Sequence, residues 1–89
     1  MIVIEKTLSY EKARDKFIRN NIRRGLALIK TLNQFSRDPT YPSLNLEKLK
    51  GSKIWTIRID RGNRIFFYFI NESTALFIDI GKHDKYKRY

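Results

Sequence analysis

The sequence predicts an α+β domain: an N-terminal strand, a two-helix hairpin, then an antiparallel sheet of three to four strands, with the helices on one sheet face. Three observations carry this expectation. Apolar residues recur at steps of three and four between Tyr10 and Phe35, the period of a helix buried on one side. Three β-rich runs, KIWTIRID, RIFFYFI and ALFIDIG, then follow closely, separated only by RGN and NEST. Between the two halves stand Pro39 and Pro42, each of which disfavours helix in the residue before it. With 89 residues and no repeat, low-complexity tract or linker, residues 1–89 read as one domain.

Each element has a local reason. Ile2-Val3-Ile4 is a short apolar, β-prone run and reads as a strand. Ser9 is expected to cap the first helix, with Glu11 in its first turn and Tyr10, Ala13, Phe17 and Ile18 on one face. Asn20-Asn21 is a break and a fresh cap. Ile22, Leu26, Ile29, Leu32 and Phe35 then predict a second amphipathic helix to about Phe35. Gly25 within it costs up to about 1 kcal/mol relative to alanine, so close packing against the first helix is expected there. LNLEKLKG reads either as a short strand or as an extended arm.

The turns determine which side chains share a sheet face. Asp60-Arg61-Gly62 suits a three-residue hairpin with Gly62 left-handed at its third position, which pairs Ile59 with Asn63 and sets Arg58 opposite Arg64. A two-residue loop at Glu72-Ser73, or a four-residue one from Asn71 to Thr74, pairs Tyr68 with Phe77 and Arg64 with Gly81. Alternation then gathers Trp55, Ile57, Ile59, Ile65, Phe67, Phe69, Leu76, Ile78 and Ile80 on one face, which must cover the helices. The other face receives Thr56, Arg58, Arg64, Phe66, Tyr68, Phe77, Asp79 and, at the strand's end, His83.

That second face carries the chemistry. Two arginines directly opposite each other repel, and such a pair is tolerated where an anion is shared or where Asp79 neutralises one of them. Gly81 leaves space above Arg64, and His83 borders that space. A histidine side chain changes charge nearer to neutrality than any other, so it suits either proton role. Phe66, Tyr68 and Phe77 offer rings on which bases stack, or else form a minor core under a loop.

Composition bounds the partners. Nineteen Lys and Arg against nine Asp and Glu give a net charge of +10 and a pI near 10.2, the electrostatic footprint of a nucleic-acid binder. An acidic protein partner fits the same charge. There is no cysteine, hence no disulfide or thiolate site, and no carboxylate or histidine cluster that suggests a metal. No apolar run reaches the roughly 18 residues of a membrane span, and MIVIEKTLSY has no basic start or long apolar stretch, so a cytoplasmic protein without membrane partner is expected.

LEKLKGSKIWTIRIDRGNRIFFYF, followed by FIDIGKHDKY, resembles the RelE/ParE superfamily of toxins from bacterial and archaeal toxin–antitoxin pairs. The likeness covers element order and length along the whole chain, with its specific part from about Leu46 to Tyr89. It implies one of two activities: ribosome-dependent, metal-independent cleavage of mRNA, as in RelE-like members, or inhibition of DNA gyrase without nuclease chemistry, as in ParE-like members. A basic RNA-binding domain without catalysis is a third possibility. In the cleaving branch the likeness assigns phosphate binding to Arg58 and Arg64, proton transfer to His83, and nucleotide orientation to Tyr86 or Tyr89. Lys48, Lys50, Lys53, Arg61, Lys82 and Lys85 are the expected contacts to ribosomal or messenger RNA. Thr56 stands where well-known cleaving members hold a lysine, which places more weight on His83. Glu47 lies in a region where some members carry a catalytic carboxylate, but its spacing to Trp55 does not match, and no role is assigned to it. No cofactor is implied, and the expected partners are the ribosome with its mRNA and an acidic antitoxin.

Overall fold

The computed structural model describes residues 1–89 and contains seven regular elements: β1 (Val3–Lys6), α1 (Leu8–Ile18), α2 (Ile22–Arg37), β2 (Glu47–Lys48), β3 (Trp55–Arg58), β4 (Asn63–Asn71) and β5 (Thr74–Lys82). Short 3-10 segments follow α2 at Pro42–Leu44 and β5 at His83–Arg88. The sheet has five strands in the order β1-β5-β4-β3-β2, all neighbours antiparallel except β1, which runs parallel to β5. It is therefore larger than the sequence suggests, and mixed. A local apolar pattern identifies a strand but not its partner, and Val3 pairs with Thr74 at the far end of the chain.

Helix starts are set by side-chain caps. Thr7, not Ser9, caps α1: its Oγ1 accepts from the Tyr10 amide at 3.0 Å and donates to the Phe77 carbonyl at 3.0 Å. One hydroxyl thus begins the helix and ties it to β5. Asn21 caps α2 as expected, its Oδ1 accepting from the Arg24 amide at 3.0 Å.

The second helix departs from expectation on its buried side. Leu28, Thr31 and Phe35 face the core, whereas Ile22, Leu26 and Ile29 are 83%, 63% and 58% exposed. With 3.6 residues per turn the two sets lie on different sides of α2, and the sheet takes the side whose Phe35 reaches its aromatic cluster. Gly25 accordingly packs against nothing, and a Cβ there would meet open space.

The core is aromatic. Phe35 meets Phe67 and Phe77 at ring separations of 5.0 and 5.6 Å, and Tyr10 meets Phe77 at 5.4 Å. Phe77 was expected on the opposite sheet face, beside Tyr68. Two register shifts explain the difference, one between Phe69 and Asn71 and one between Phe66 and Phe67. They leave Ile70 and Ile78 as extra residues, so Tyr68 pairs with Leu76 and Phe67 with Phe77. Between the bulges, β5 therefore sends Ala75 and Phe77 into the core and turns Leu76 away from it. Ile57, Ile65, Phe67 and Ile80 occupy the core as the alternation requires, with Trp55, Ile59 and Phe69 packed at its margin.

This register makes opposite demands on neighbouring residues of β5. Phe77→Ala should cost about 3–5 kcal/mol in urea unfolding, the usual loss for a buried Phe. Ile78→Ala should cost clearly less. Equal losses, or the reverse order, would contradict the bulge.

Candidate functional site

The second sheet face is not open. Thr56, Phe66, Arg64 and Asp79 are all buried, and the chain after β5 folds back onto this face, Lys85 and Tyr89 reaching Asp79 and the Tyr89 ring lying on Phe66. Its first residue is held by the backbone, the His83 amide donating to the Gly62 carbonyl at 3.1 Å. Gly62 belongs to the β3–β4 turn, where Arg58 pairs with Arg64 as expected. That turn does not use a left-handed glycine: Gly51 is the only glycine with positive φ. Asp60 closes it instead, its Oδ1 accepting from the amides of Gly62 at 3.0 Å and Asn63 at 2.9 Å.

Asp79 fastens the rest of the segment. Its Oδ1 accepts from Lys85 Nζ at 2.9 Å and its Oδ2 from the Tyr89 hydroxyl at 2.7 Å, while the Tyr89 ring lies 5.3 Å from that of Phe66. The Tyr89 phenol is pushed up to about 12, by burial first and then by its hydrogen bond to Asp79. The neutral phenol is the form that binds. Its contribution is complete below the ordinary value of 10.0 and is lost as pH rises through about 12. Phe66 is fully buried here and Phe77 lies in the main core, so neither ring is available to a base. Of the three aromatics considered for stacking only Tyr68 remains partly exposed, and Lys53 Nζ sits 4.4 Å above it.

Beside the tail opens a cleft of about 280 Å³ lined by Glu47, Lys48, Leu49, Lys50, Thr56, Arg64, His83 and Tyr86. Arg64 is 8% exposed, and its Nη1 is buried without a hydrogen-bond partner. Its pKa is lowered by burial and then by the like charge of Arg58, with Glu47 and Asp60 pulling the other way. A buried, incompletely paired guanidinium is costly to keep, and an anion in the cleft would offset its repulsion with Arg58. His83 and Tyr86 stand together, their rings 5.7 Å apart.

Glu47 is the residue that sequence reasoning set aside. The segment LNLEKLKG does form a strand, and β2 pairs Glu47 directly with Thr56. The connecting loop is closed by the Leu49 amide on the Ile54 carbonyl at 2.8 Å, with Gly51 left-handed at φ 74°. The Lys50-Gly51 step was the available signal: a glycine between two β-prone runs marks a hairpin. Asn45 Nδ2 donates to Glu47 Oε1 at 2.9 Å and steadies the carboxylate.

The other expected site residues are dispersed. Lys48 and Lys50 line the cleft with Arg64, His83 and Tyr86. Arg58 is exposed and borders a neighbouring groove with Lys30, Thr31, Gln34 and Ser43, contributing charge rather than a wall. Tyr89 is spent on Asp79 and Lys85 on the same carboxylate. Arg61 is exposed at the hairpin tip, and Lys82 borders a separate basic groove with Lys16 and Arg24. Nowhere do three His, Asp or Glu side chains gather in a metal-binding arrangement, and no helix is long and apolar enough to cross a membrane.

No protein-family model and no curated protein matches this sequence. Solved structures do match. A YoeB/ParE toxin from Agrobacterium tumefaciens is 20% identical over 92% of this chain and 99% of its own, with a TM-score of 0.76. YafQ from E. coli is 11% identical over 96% and 97%, with a TM-score of 0.73. The toxin of a YoeB–YefM complex from Staphylococcus aureus is 16% identical over 93% and 98%, with a TM-score of 0.72. The chain has the RelE/ParE-type toxin fold.

The state of Arg64 has a measurable consequence. Inorganic phosphate should raise the thermal unfolding midpoint, with a stabilisation of about 2.7 kcal/mol at a hundredfold excess over its dissociation constant. Arg64→Gln should abolish that gain. A gain that survives the substitution would show that phosphate binds elsewhere on the basic surface.

Proposed function

We propose that this chain is the toxin of a toxin–antitoxin pair and that it cleaves ribosome-bound mRNA in the cleft between β2, β4 and the C-terminal segment. The observation that carries this reading is the buried, unpartnered Arg64 Nη1, with a carboxylate, a histidine and two lysines around the same space. The fold shared with YoeB and YafQ and the resemblance of the Leu46–Tyr89 segment to the RelE/ParE superfamily support it.

The cleft meets the needs of RNA cleavage by the ribose 2′-OH. A base must take the hydroxyl proton, fixed positive charge must stabilise the phosphorane, and an acid must protonate the leaving 5′-oxygen. Glu47 is the base in this reading, since a carboxylate oxygen can accept the hydroxyl proton and this one lines the cleft beside Thr56, where the sequence offers no lysine. Arg64 binds the non-bridging phosphate oxygens, with Lys48 and Lys50 adding charge at the rim. His83 supplies the proton to the leaving oxygen, and Tyr86 borders the nucleotide. The products are a 2′,3′-cyclic phosphate and a 5′-hydroxyl, with one proton taken and one returned. No step requires a cofactor.

The remaining partners follow from charge. With +10, the chain is suited to rRNA phosphates, through exposed residues such as Arg61 and Lys82, and to an acidic antitoxin. The S. aureus YoeB structure, solved as a complex with YefM, supports an antitoxin for this chain as well. The exposed stripe Ile22-Leu26-Ile29, flanked by Arg23, Lys30 and Arg37, offers such a partner both apolar area and positive charge. The ribosome locates the activity in the cytoplasm.

Primer extension on mRNA from purified translating ribosomes tests the assignment. Glu47→Gln and His83→Ala should each reduce cleavage by roughly 10²–10⁴, the span usual for one acid–base group. Unchanged cleavage in either variant would remove that residue from the mechanism. A wild-type chain that leaves mRNA intact but stalls DNA gyrase would replace the nuclease by the gyrase-inhibitor alternative.

A further inference from the structure

We infer that Asp79 is a positioning residue for the cleft: it clamps the chain on both sides of Tyr86 and thereby holds Tyr86 beside His83 in the cleft that Arg64 lines. The inference rests on the cleft being the working site.

The geometry is unusual for so short a segment. His83–Arg88 is a six-residue 3-10 helix with no buried residue of its own. Short 3-10 pieces have poor hydrogen-bond geometry, and without apolar burial this one has little intrinsic reason to stay in place. What holds it is polar. Asp79 is 6% exposed, and each of its carboxylate oxygens receives a donor from the tail, Lys85 at 2.9 Å and Tyr89 at 2.7 Å. The Ile80 amide adds a third bond at 2.8 Å, which fixes the carboxylate to its own strand. Charge-assisted bonds of this kind are the strong ones, and they strengthen away from water. Lys85 and Tyr89 flank Tyr86 in sequence, while His83 is tied separately to Gly62.

Gly81 belongs to the same device. A Cβ at Gly81 would lie 2.7 Å from Lys85 Cδ and 3.2 Å from Nζ, so the missing side chain is the channel through which Lys85 reaches Asp79. Its role is passage for a lysine, not backbone freedom.

Two measurements on the full chain test this together: backbone heteronuclear NOEs, and single-turnover mRNA cleavage on saturating ribosomes. Asp79→Asn and Tyr89→Phe should lower the NOEs of residues 83–89 toward those of a free chain end while the strands stay ordered. Cleavage should fall with the ribosome KM unchanged, by as much as about 10²-fold, the scale of a catalytic group misplaced by an ångström. Gly81→Ala should reproduce the loosening around Lys85 by crowding its side chain, with Asp79 and Tyr89 left unchanged. A tail that stays ordered in these variants would overturn the inference, as would a loosened tail with unchanged turnover. If Asp79→Asn fails to fold, Tyr89→Phe decides, because its ring retains the stacking on Phe66. If the wild-type chain cuts no mRNA the nuclease reading falls, and the NOEs still show whether Asp79 holds the tail.

Discussion

Two charges on adjacent strands, Arg64 on β4 and Asp79 on β5, are buried on the sheet face away from the helices, and the working half of the molecule depends on how each is satisfied. An ionised group removed from water needs partners, or it destabilises the fold. Asp79 finds them within the chain, and in doing so folds the C-terminal segment over Phe66. Arg64 does not, and one of its nitrogens remains without an acceptor. The first charge builds the wall of the cleft, and the second leaves its floor in need of an anion. Both lie in the same antiparallel ladder, Arg64 opposite Gly81 and Phe66 opposite Asp79, so the geometry that satisfies one charge also frames the other.

The bulge at Ile78 lets a single strand serve two layers. Without it, Phe77 would share the second face with Asp79 and the core would lose the ring that touches Tyr10, Phe35 and Phe67. With it, Phe77 anchors α1 and α2 to the sheet while Asp79, two residues on, faces the tail. The Phe77 carbonyl also accepts from the Thr7 hydroxyl and amide, so the start of α1 is registered against the same stretch of β5.

What was legible in the sequence is what is decided locally. Asp60-Arg61-Gly62 set the Arg58–Arg64 pairing, because a turn sets the register of the strands it joins. Arg64, in contrast, meets Gly81 as expected only because the two bulges between them and the Glu72-Ser73 loop cancel, and Tyr68 does not meet Phe77. The placement of Arg64 and His83 at one site followed from that register. The features that escaped reading depend on distant chain. β1 and its partner β5 lie at opposite ends of the sequence. The choice of Leu28, Thr31 and Phe35 over Ile22, Leu26 and Ile29 as the buried side of α2 is made by the aromatic cluster of the sheet, since either stripe is apolar enough. Glu47 returns to Thr56 only because the chain turns at Gly51. The tail is polar and basic, and nothing in its own composition shows that Lys85 and Tyr89 close onto a buried carboxylate six and ten residues upstream. The opening of the cleft is thus a tertiary property built from residues that are individually unremarkable.

The chemistry of the product ends tests the central claim most directly. Wild-type protein should be incubated with translating ribosomes, and the termini of the fragments identified by enzymatic end-labelling and mass spectrometry. Attack by the ribose 2′-OH in a cleft of Glu47, Arg64 and His83 predicts a 2′,3′-cyclic phosphate on the upstream fragment and a 5′-hydroxyl on the downstream one. Fragments ending in a 3′-hydroxyl with a 5′-phosphate would contradict it.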